Sequence, residues 1–365
     1  MAKANLMRPT SATVRLGAIV DNYRLACRLA PESKSIAVIK ANAYGHGLLK
    51  VAQVLEPEVP AFAVAFIDEA VQLRDAGIRK PILVLQGATH AADIAEAAAR
   101  DFWLLLHYQQ QVEWVLSSKL ADPVRVWLKV ETGMHRLGFL PEALERAVDD
   151  LLMSPSVQQG LVLCTQLACA DDPDNPMTRQ QVSTIQSCSN SHKPGLSIAN
   201  SAGVLFWPET HAEWNRPGYM LYGNSPTGAF DSDSFGLAPA MSMNSEIVAI
   251  KELLPGDGTG YGIDWVAKKR SKVGTIAIGY GDGYPRHAPS GTPVLVNGQR
   301  VPLVGRVSMD LISVDLTGID KVEVGDPVEL WGQGLSVNEV ASVAGTIGYE
   351  ILAGLTGRAP LIYQS

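Results

Sequence analysis

Apolar and polar positions along the chain follow two textures. Over roughly the first two thirds, short apolar runs alternate with amphipathic, alanine-rich stretches. About eight runs stand out, at residues 35–40, 61–66, 81–85, 102–107, 124–130, 160–165, 196–199 and 216–221. Their length suits strands, and the stretches between several of them carry helix signals. Residues 68–75 read as a helix closed by Gly77 as a C-cap, and Pro141 suits the first turn of another. Eight strand-then-helix units match a (β/α)8 barrel of the TIM type, with a doubly wound open sheet as the competing arrangement. The polar residues favour the barrel. Lys40, Lys129, Gln166, Asn200 with Ser201, and Arg216 all lie at or near the C-terminal end of an apolar run, which is where barrel enzymes build their sites. After about Leu237 alternation, valines and glycine-bearing turns take over. Asn297–Gly298 between runs at 292–296 and 300–304 predicts a hairpin, and one helix is expected near residues 337–344 with Ser336 as its N-cap. The expectation is therefore an α/β barrel domain over residues 1–237 and a mainly β domain over residues 238–365.

Composition narrows the classes. With 365 residues, 47% hydrophobic and 18% charged, the chain can bury a large core. A net charge of -7 argues against binding nucleic acid, which needs a basic surface. The four cysteines, Cys27, Cys164, Cys169 and Cys188, show no CxxC spacing and fit reduced thiols better than a disulfide framework. Residues 1–12 contain no continuous apolar stretch of a secretory signal, and the apolar runs are far shorter than a membrane span. The expected location is the cytoplasm, with no membrane partner. No HExxH, EF-hand or CxxC pattern occurs, so no metal is expected.

Lys40 is the most informative position. It ends an apolar run and is followed at once by Ala41–Asn42–Ala43–Tyr44–Gly45–His46–Gly47. A primary amine at the end of a buried strand loses solvation, which favours its neutral, nucleophilic form. Such an amine condenses with aldehydes to give a Schiff base. Tyr44 offers a hydroxyl to an anion, and the glycines allow close backbone approach. The same local pattern also fits a strand-end lysine that simply reaches solvent. His46 reads as structural.

The surrounding blocks resolve that choice. The segment from Ala37 to Gly47, AVIKANAYGHG, resembles the pyridoxal-phosphate lysine motif of the alanine racemases. The likeness continues through WLKVETGMHRLG from Trp127 to Gly138, ANSA from Ala199 to Ala202, and RPG from Arg216 to Gly218. It goes on through TGYG from Thr259, GYGDGYPR from Gly279 to Arg286, GRVSMD from Gly305 to Asp310 and TIGYE from Thr346 to Glu350. The blocks keep the family's order and span nearly the whole chain.

The resemblance implies an amino-acid racemase that interconverts L-alanine and D-alanine on pyridoxal 5'-phosphate, with two acid/base groups on opposite faces of the substrate Cα. Lys40 would carry the cofactor and serve one face. Tyr261 would serve the other, contributed by the second subunit of a homodimer whose active sites are shared. Arg216 would face the pyridine nitrogen; arginine holds its proton and so donates to an unprotonated ring, a weaker electron sink than an aspartate partner provides. Tyr44, Ser201, Tyr349 and the backbone near Gly218 and Tyr219 would bind phosphate. Arg136 and the Met309 N–H would read the substrate carboxylate. Lys129 aligns with a lysine that is carbamylated in some relatives, and Tyr284 and Asp310 with residues at the active-site entrance. The product would supply peptidoglycan precursors or feed alanine catabolism.

Some positions depart from the family pattern. Gln166 stands where a histidine normally bonds the cofactor arginine and the catalytic tyrosine; a glutamine can donate and accept but carries no charge. Glu131 replaces an aspartate, Tyr219 an aliphatic residue, Ala353 a frequent cysteine and Leu361 a common arginine. Other readings are a racemase of serine or of broader specificity, a non-catalytic pyridoxal-phosphate-binding protein, and a decarboxylase of the same fold. Non-catalytic carriers resemble the barrel half alone, so the β domain with Tyr261 and Met309 argues against them.

Overall fold

The computed structural model describes residues 8–189, 193–227 and 235–365. The chain divides into two compact units.

One unit comprises Val20–Ala43 and Gly47–Leu221. Its sheet is parallel throughout and runs in chain order. The strands are Lys34–Ser35 with Ala37–Val38, then Phe62–Val64, Ile82–Val84, Phe102–Leu106, Val126–Lys129, Val162–Cys164, Gly195–Ser197 and Trp214–Asn215. The first of these closes the barrel because it is bonded on both sides. Lys34–Ser35 pairs with Trp214–Asn215, whereas Ala37–Val38 pairs with Phe62–Val64. The Ile36 N–H between the two pieces donates to Asn215 O at 2.8 Å. Six of the seven later strands fall within or overlap the apolar runs named above. The eighth lies earlier than the run at 216–221. Those residues instead enter the 3-10 turn Tyr219–Tyr222, all four residues of which are buried. A fully buried turn has the apolar continuity of a strand, and Pro217 and Gly218 are the local signs against one.

Inward-facing residues are identified by contacts across the barrel. Trp214 packs 5.6 Å from Trp103 and 5.8 Å from Trp127, centroid to centroid, although its strand is not adjacent to either. The three indoles fill the N-terminal end, where Lys34 lies over Trp214 and Arg125 over Trp103. Side chains alternate along a strand. Lys129, two residues after Trp127, and Arg216, two after Trp214, therefore point into the same interior toward its opposite, C-terminal end.

The helices between the strands obey the local signals. Ile67–Asp75 is followed by Gly77 at φ +89°, and Pro141 opens Pro141–Leu152. Leu144, Ala147, Val148 and Leu151 of the latter are buried at helical spacing.

The other unit comprises the described residues up to Ile19, Tyr44–His46 and Tyr222–Ser365. Its centre is the 13-residue strand Met241–Leu253, whose register shifts between Ile247 and Ala249. The first half pairs with Ser11–Arg15 and Pro327–Trp331, the second with Ser271–Ile276. Ser11–Arg15 also pairs in parallel with Leu361–Gln364, so an N-terminal strand belongs to the mainly β unit. The predicted hairpin is present, joining Pro293–Val296 to Gln299–Pro302 with Asn297 and Gly298 both at positive φ. Helix Val337–Ala344 begins at Ser336, whose Oγ accepts the Asn338 N–H, and ends at Gly345 with φ +72°.

Candidate active site

The first barrel strand runs out at Ile39, and the backbone then turns left-handed. Ala41, Asn42, Ala43 and Tyr44 all have φ between +51° and +54°. Each such L-residue costs roughly 1–2 kcal/mol, about 4–8 kcal/mol for four. Local bonds offset this. The Ala43 N–H donates to Ile39 O at 2.9 Å and the Gly47 N–H to Asn42 O at 3.0 Å. Asn42 Oδ1 accepts the Leu48 N–H at 2.8 Å, and Glu69 Oε1 accepts the Ala41 N–H at 2.7 Å. Backbone strain of this kind concentrates at functional positions. It presents Lys40, whose proton affinity is lowered by burial and by Arg136, and partly restored by Glu69.

Deeper in the same barrel, Arg216 is buried among acceptors. Its Nη1 donates to Ser197 Oγ at 2.5 Å, and its Nη2 to Thr165 O at 2.5 Å and to Gln166 Oε1 at 3.5 Å. Ser197 Oγ in turn donates to Trp214 O at 2.9 Å. Ser201 is buried, and its Oγ accepts N–H groups from Gly218 at 2.9 Å and Met220 at 3.3 Å. Both acceptor positions are thereby occupied, which leaves its own proton for an anion. Tyr219 is buried between them in sequence.

Lys129 is only 8% exposed. Burial pulls its pKa down to about 8; Arg216 and Arg136 push the same way, and Cys164 and Glu131 oppose them. Glu131 behaves oppositely. Burial raises its pKa, but the N–H groups of residues 133–136 outweigh burial and leave it below the usual carboxylate value. Its Oε1 accepts from Gly133 at 2.5 Å and its Oε2 from Arg136 at 3.3 Å, so it fixes the loop that carries the exposed Arg136 side chain.

One supporting residue was not legible in the sequence. Gln181, on helix Met177–Cys188, is fully buried. Its Oε1 accepts the Ala168 N–H at 2.8 Å, and its Nε2 donates to Thr132 Oγ1 and Gln166 O, both at 2.9 Å. It thus ties the Gln166–Ala168 segment to Thr132. No periodicity distinguishes it from a solvent-facing glutamine.

The remaining candidates lie in the mainly β unit. Tyr44 is buried against Tyr222, with ring centroids 4.9 Å apart, and lies 6.1 Å from Tyr349. His46 sits in the interior of this unit: Nδ1 meets Tyr44 O at 2.9 Å and the ring packs on Tyr222. Tyr261 is 70% exposed in a short turn and Met309 is 51% exposed. Gly281 N–H donates to Met309 O at 2.9 Å, which places Met309 beside the 280–283 turn. Asp310 pairs with Arg358, which also pairs with the buried Asp282 at 3.4 Å. Tyr284 does not suit an entrance: it is 1% exposed and stacked on Trp331. The phenol that the same turn exposes is Tyr280, at 39%, with its N–H on Ser308 O. The two tyrosines flank one glycine-rich turn, and their tertiary surroundings tell them apart.

Among the described residues no group of three or more His, Cys, Asp or Glu could hold a metal ion, and no helix is long and apolar enough to cross a membrane.

Comparison with known proteins gives a consistent result. The family description "Alanine racemase, N-terminal domain" matches residues 14–226, and "Alanine racemase, C-terminal domain" matches residues 240–363. The chain is 48% identical to an alanine racemase of Halorhodospira halophila over 353 residues, 97% of each chain. It is 45% identical to the biosynthetic alanine racemase of Pseudomonas aeruginosa over 98% of this chain and all of that one. The crystal structure of the Pseudomonas aeruginosa biosynthetic enzyme superposes with a TM-score of 0.96, covering 98% of this chain and 100% of that one. An alanine racemase from Bartonella henselae, solved with covalently bound pyridoxal phosphate, is 30% identical with a TM-score of 0.90, covering 98% and 99%. The chain belongs to the alanine racemase family.

Proposed function

We propose that this protein interconverts L- and D-alanine using pyridoxal phosphate, with Lys40 as the attachment point. The observation that carries the reading is the Lys40 amine, biased toward its neutral form and held on a strained turn at the C-terminal end of a closed barrel. The donor set fits the cofactor. Arg216 is a buried, anchored donor for a ring nitrogen, and the Ser201 hydroxyl has a free proton for a phosphate oxygen, with the Gly218 and Tyr219 backbone adjacent. Tyr44 and Tyr349 are the phenols that the family resemblance assigns to the same phosphate. Bound pyridoxal phosphate would delocalise the electron pair left on Cα when its proton is removed.

The chain's own groups then move the proton. Lys40 takes or returns it on one face, and Tyr261 of a second copy acts on the other. A turn tyrosine that is largely exposed in one subunit supports that division. So does the exposure of further apolar residues of the same unit, Ile263, Val266, Met309 and Leu311, which would be covered in a homodimer. Arg136 and the partner's Met309 N–H would hold the substrate carboxylate. Carbamylation of Lys129 would place a negative group near Arg136 and Arg216 and needs the neutral amine that burial favours. Asp310 would line the approach, with Tyr280 rather than Tyr284 as its aromatic neighbour. The proposed setting is the cytoplasm, supplying D-alanine to peptidoglycan precursors.

The test combines three measurements. Purified protein is given L-alanine and the D-isomer followed by chiral separation. Borohydride reduction and peptide mapping locate the cofactor. Tyr261→Phe is assayed in both directions, with an expected loss of about 10²–10⁴-fold in kcat. Reduction that marks a residue other than Lys40, or full activity in Tyr261→Phe, overturns the proposal.

A further inference from the structure

Glu69 has no part in the chemistry proposed above, yet its carboxylate joins two elements. It is the third residue of helix Ile67–Asp75. Oε2 accepts the Ala65 N–H at 2.7 Å and the Phe66 N–H at 3.4 Å, just beyond the second barrel strand Phe62–Val64. Oε1 reaches across to the first strand's exit and accepts the Ala41 N–H at 2.7 Å. Ala41 opens the left-handed turn and directly follows Lys40.

We propose that Glu69 is a positioning residue for Lys40, clamping the left-handed turn to the neighbouring strand and so fixing the direction in which the amine leaves the backbone. The proposal rests on the reading of Lys40 as the acting amine. Capping of the helix accounts for the bonds of Oε2 but not for that of Oε1, which serves only the turn. Among the described residues no other side chain bonds the Ala41 N–H. A charged acceptor also gives a stronger bond than a neutral one. The charged groups facing Lys40 are Arg136 and Glu69. Burial and Arg136 favour the neutral amine, and Glu69 is the group that favours the ammonium form. A residue that must both take and return a proton needs both forms within reach, and one carboxylate supplies the geometry and the counter-charge together.

Glu69→Gln keeps the size of the side chain but makes one end a donor, so it cannot accept at both Ala41 and Ala65. Glu69→Ala removes both bonds. The full-length, cofactor-loaded protein is examined by amide hydrogen exchange and by racemisation kinetics across pH. In both variants exchange at residues 41–44 is expected to rise. The kcat is expected to fall about 10- to 100-fold, as for a small misplacement of a reacting group, with KM changing far less. The acid limb of the kcat profile moves to lower pH because the group that favours ammonium is gone. Exchange that rises only in helix Ile67–Asp75, with residues 41–44 as in the parent, reduces Glu69 to a helix cap and overturns the proposal. Faster exchange at residues 41–44 with an unchanged kcat profile overturns its link to Lys40. Glu69→Gln alone carries the test if Glu69→Ala does not fold. The exchange readout does not depend on Lys40 being the attachment point, so borohydride mapping distinguishes failure of that reading from failure of the clamp.

Discussion

Replacing Lys129 by methionine should change how stability depends on pH, in a direction fixed by the burial of its amine. Burial holds this group at a pKa of about 8 in the folded protein, against about 10.5 for a lysine in water. The difference corresponds to about 3 kcal/mol as an upper figure, at about 1.4 kcal/mol per unit. The sign follows from proton counting. Below pH 8 both folded and unfolded chains carry the ammonium, and the folded state bears the full cost of burying it. Between pH 8 and 10.5 the unfolded chain binds more protons at this residue than the folded one, so stability rises with pH. Above that window the cost is gone. Lys129→Met lacks the titration and keeps an unbranched side chain for the same space. The variant should therefore be more stable than the parent at pH 7 by up to about 3 kcal/mol, and the two should converge by about pH 10.5.

The assay is the difference in urea midpoint between parent and variant across this range, in buffers freed of carbon dioxide. Other titrating groups are common to both proteins and cancel in the difference. A bicarbonate arm adds a second reading. Carbamylation consumes the neutral amine and places a negative group near Arg216 and Arg136, so bicarbonate should stabilise the parent alone, with a mass gain of one carbon dioxide. Parallel pH profiles for parent and Lys129→Met would refute the argument that burial holds this amine near neutrality.

Two further substitutions test other links. Gly45 has φ +80°, and a Cβ there would lie 2.0 Å from the Leu352 carbonyl oxygen; Gly45→Ala should cost about 2–4 kcal/mol from overpacking and left-handed strain, and a denaturation midpoint matching the parent's would show that the contact relaxes freely. Gln166→His should add an inflection to the kcat/KM profile below about pH 6.5, because an imidazole beside Arg216 resists protonation; superimposable profiles would show that the position is neutral for catalysis.

Much of the architecture was legible because local rules and tertiary packing agree. The strand-then-helix alternation, Pro141 and Gly77 at helix ends, the Asn297–Gly298 hairpin and the Ser336 cap all depend on backbone preferences within a few residues. The ordered blocks around Lys40, Lys129, Arg216 and Tyr261 carried the chemistry, since residue type limits what a side chain can bond. Where tertiary contacts decide, sequence reasoning stops. Tyr280 and Tyr284 share one turn, yet Tyr280 is 39% exposed while Tyr284 is buried and stacked on Trp331. The run at 216–221 is as apolar as a strand but folds into a buried turn, because Trp214–Asn215 has already closed the sheet against Lys34–Ser35. Ser11–Arg15 precedes the barrel in the chain, yet its partners, Met241–Leu253 and Leu361–Gln364, lie more than two hundred residues away. The left-handed turn after Lys40 runs against the preference of Ala41, Ala43 and Tyr44. It persists because bonds within the loop, such as the Leu48 N–H to Asn42 Oδ1, are joined by one from a distant group, the Glu69 carboxylate, which accepts the Ala41 N–H. The sequence by itself determined the element types, the barrel class and the chemistry of the key side chains. Only the tertiary structure decided which of those side chains are buried, which way they point and what charge they favour, because burial and electrostatics sum over neighbours that no short window of sequence contains.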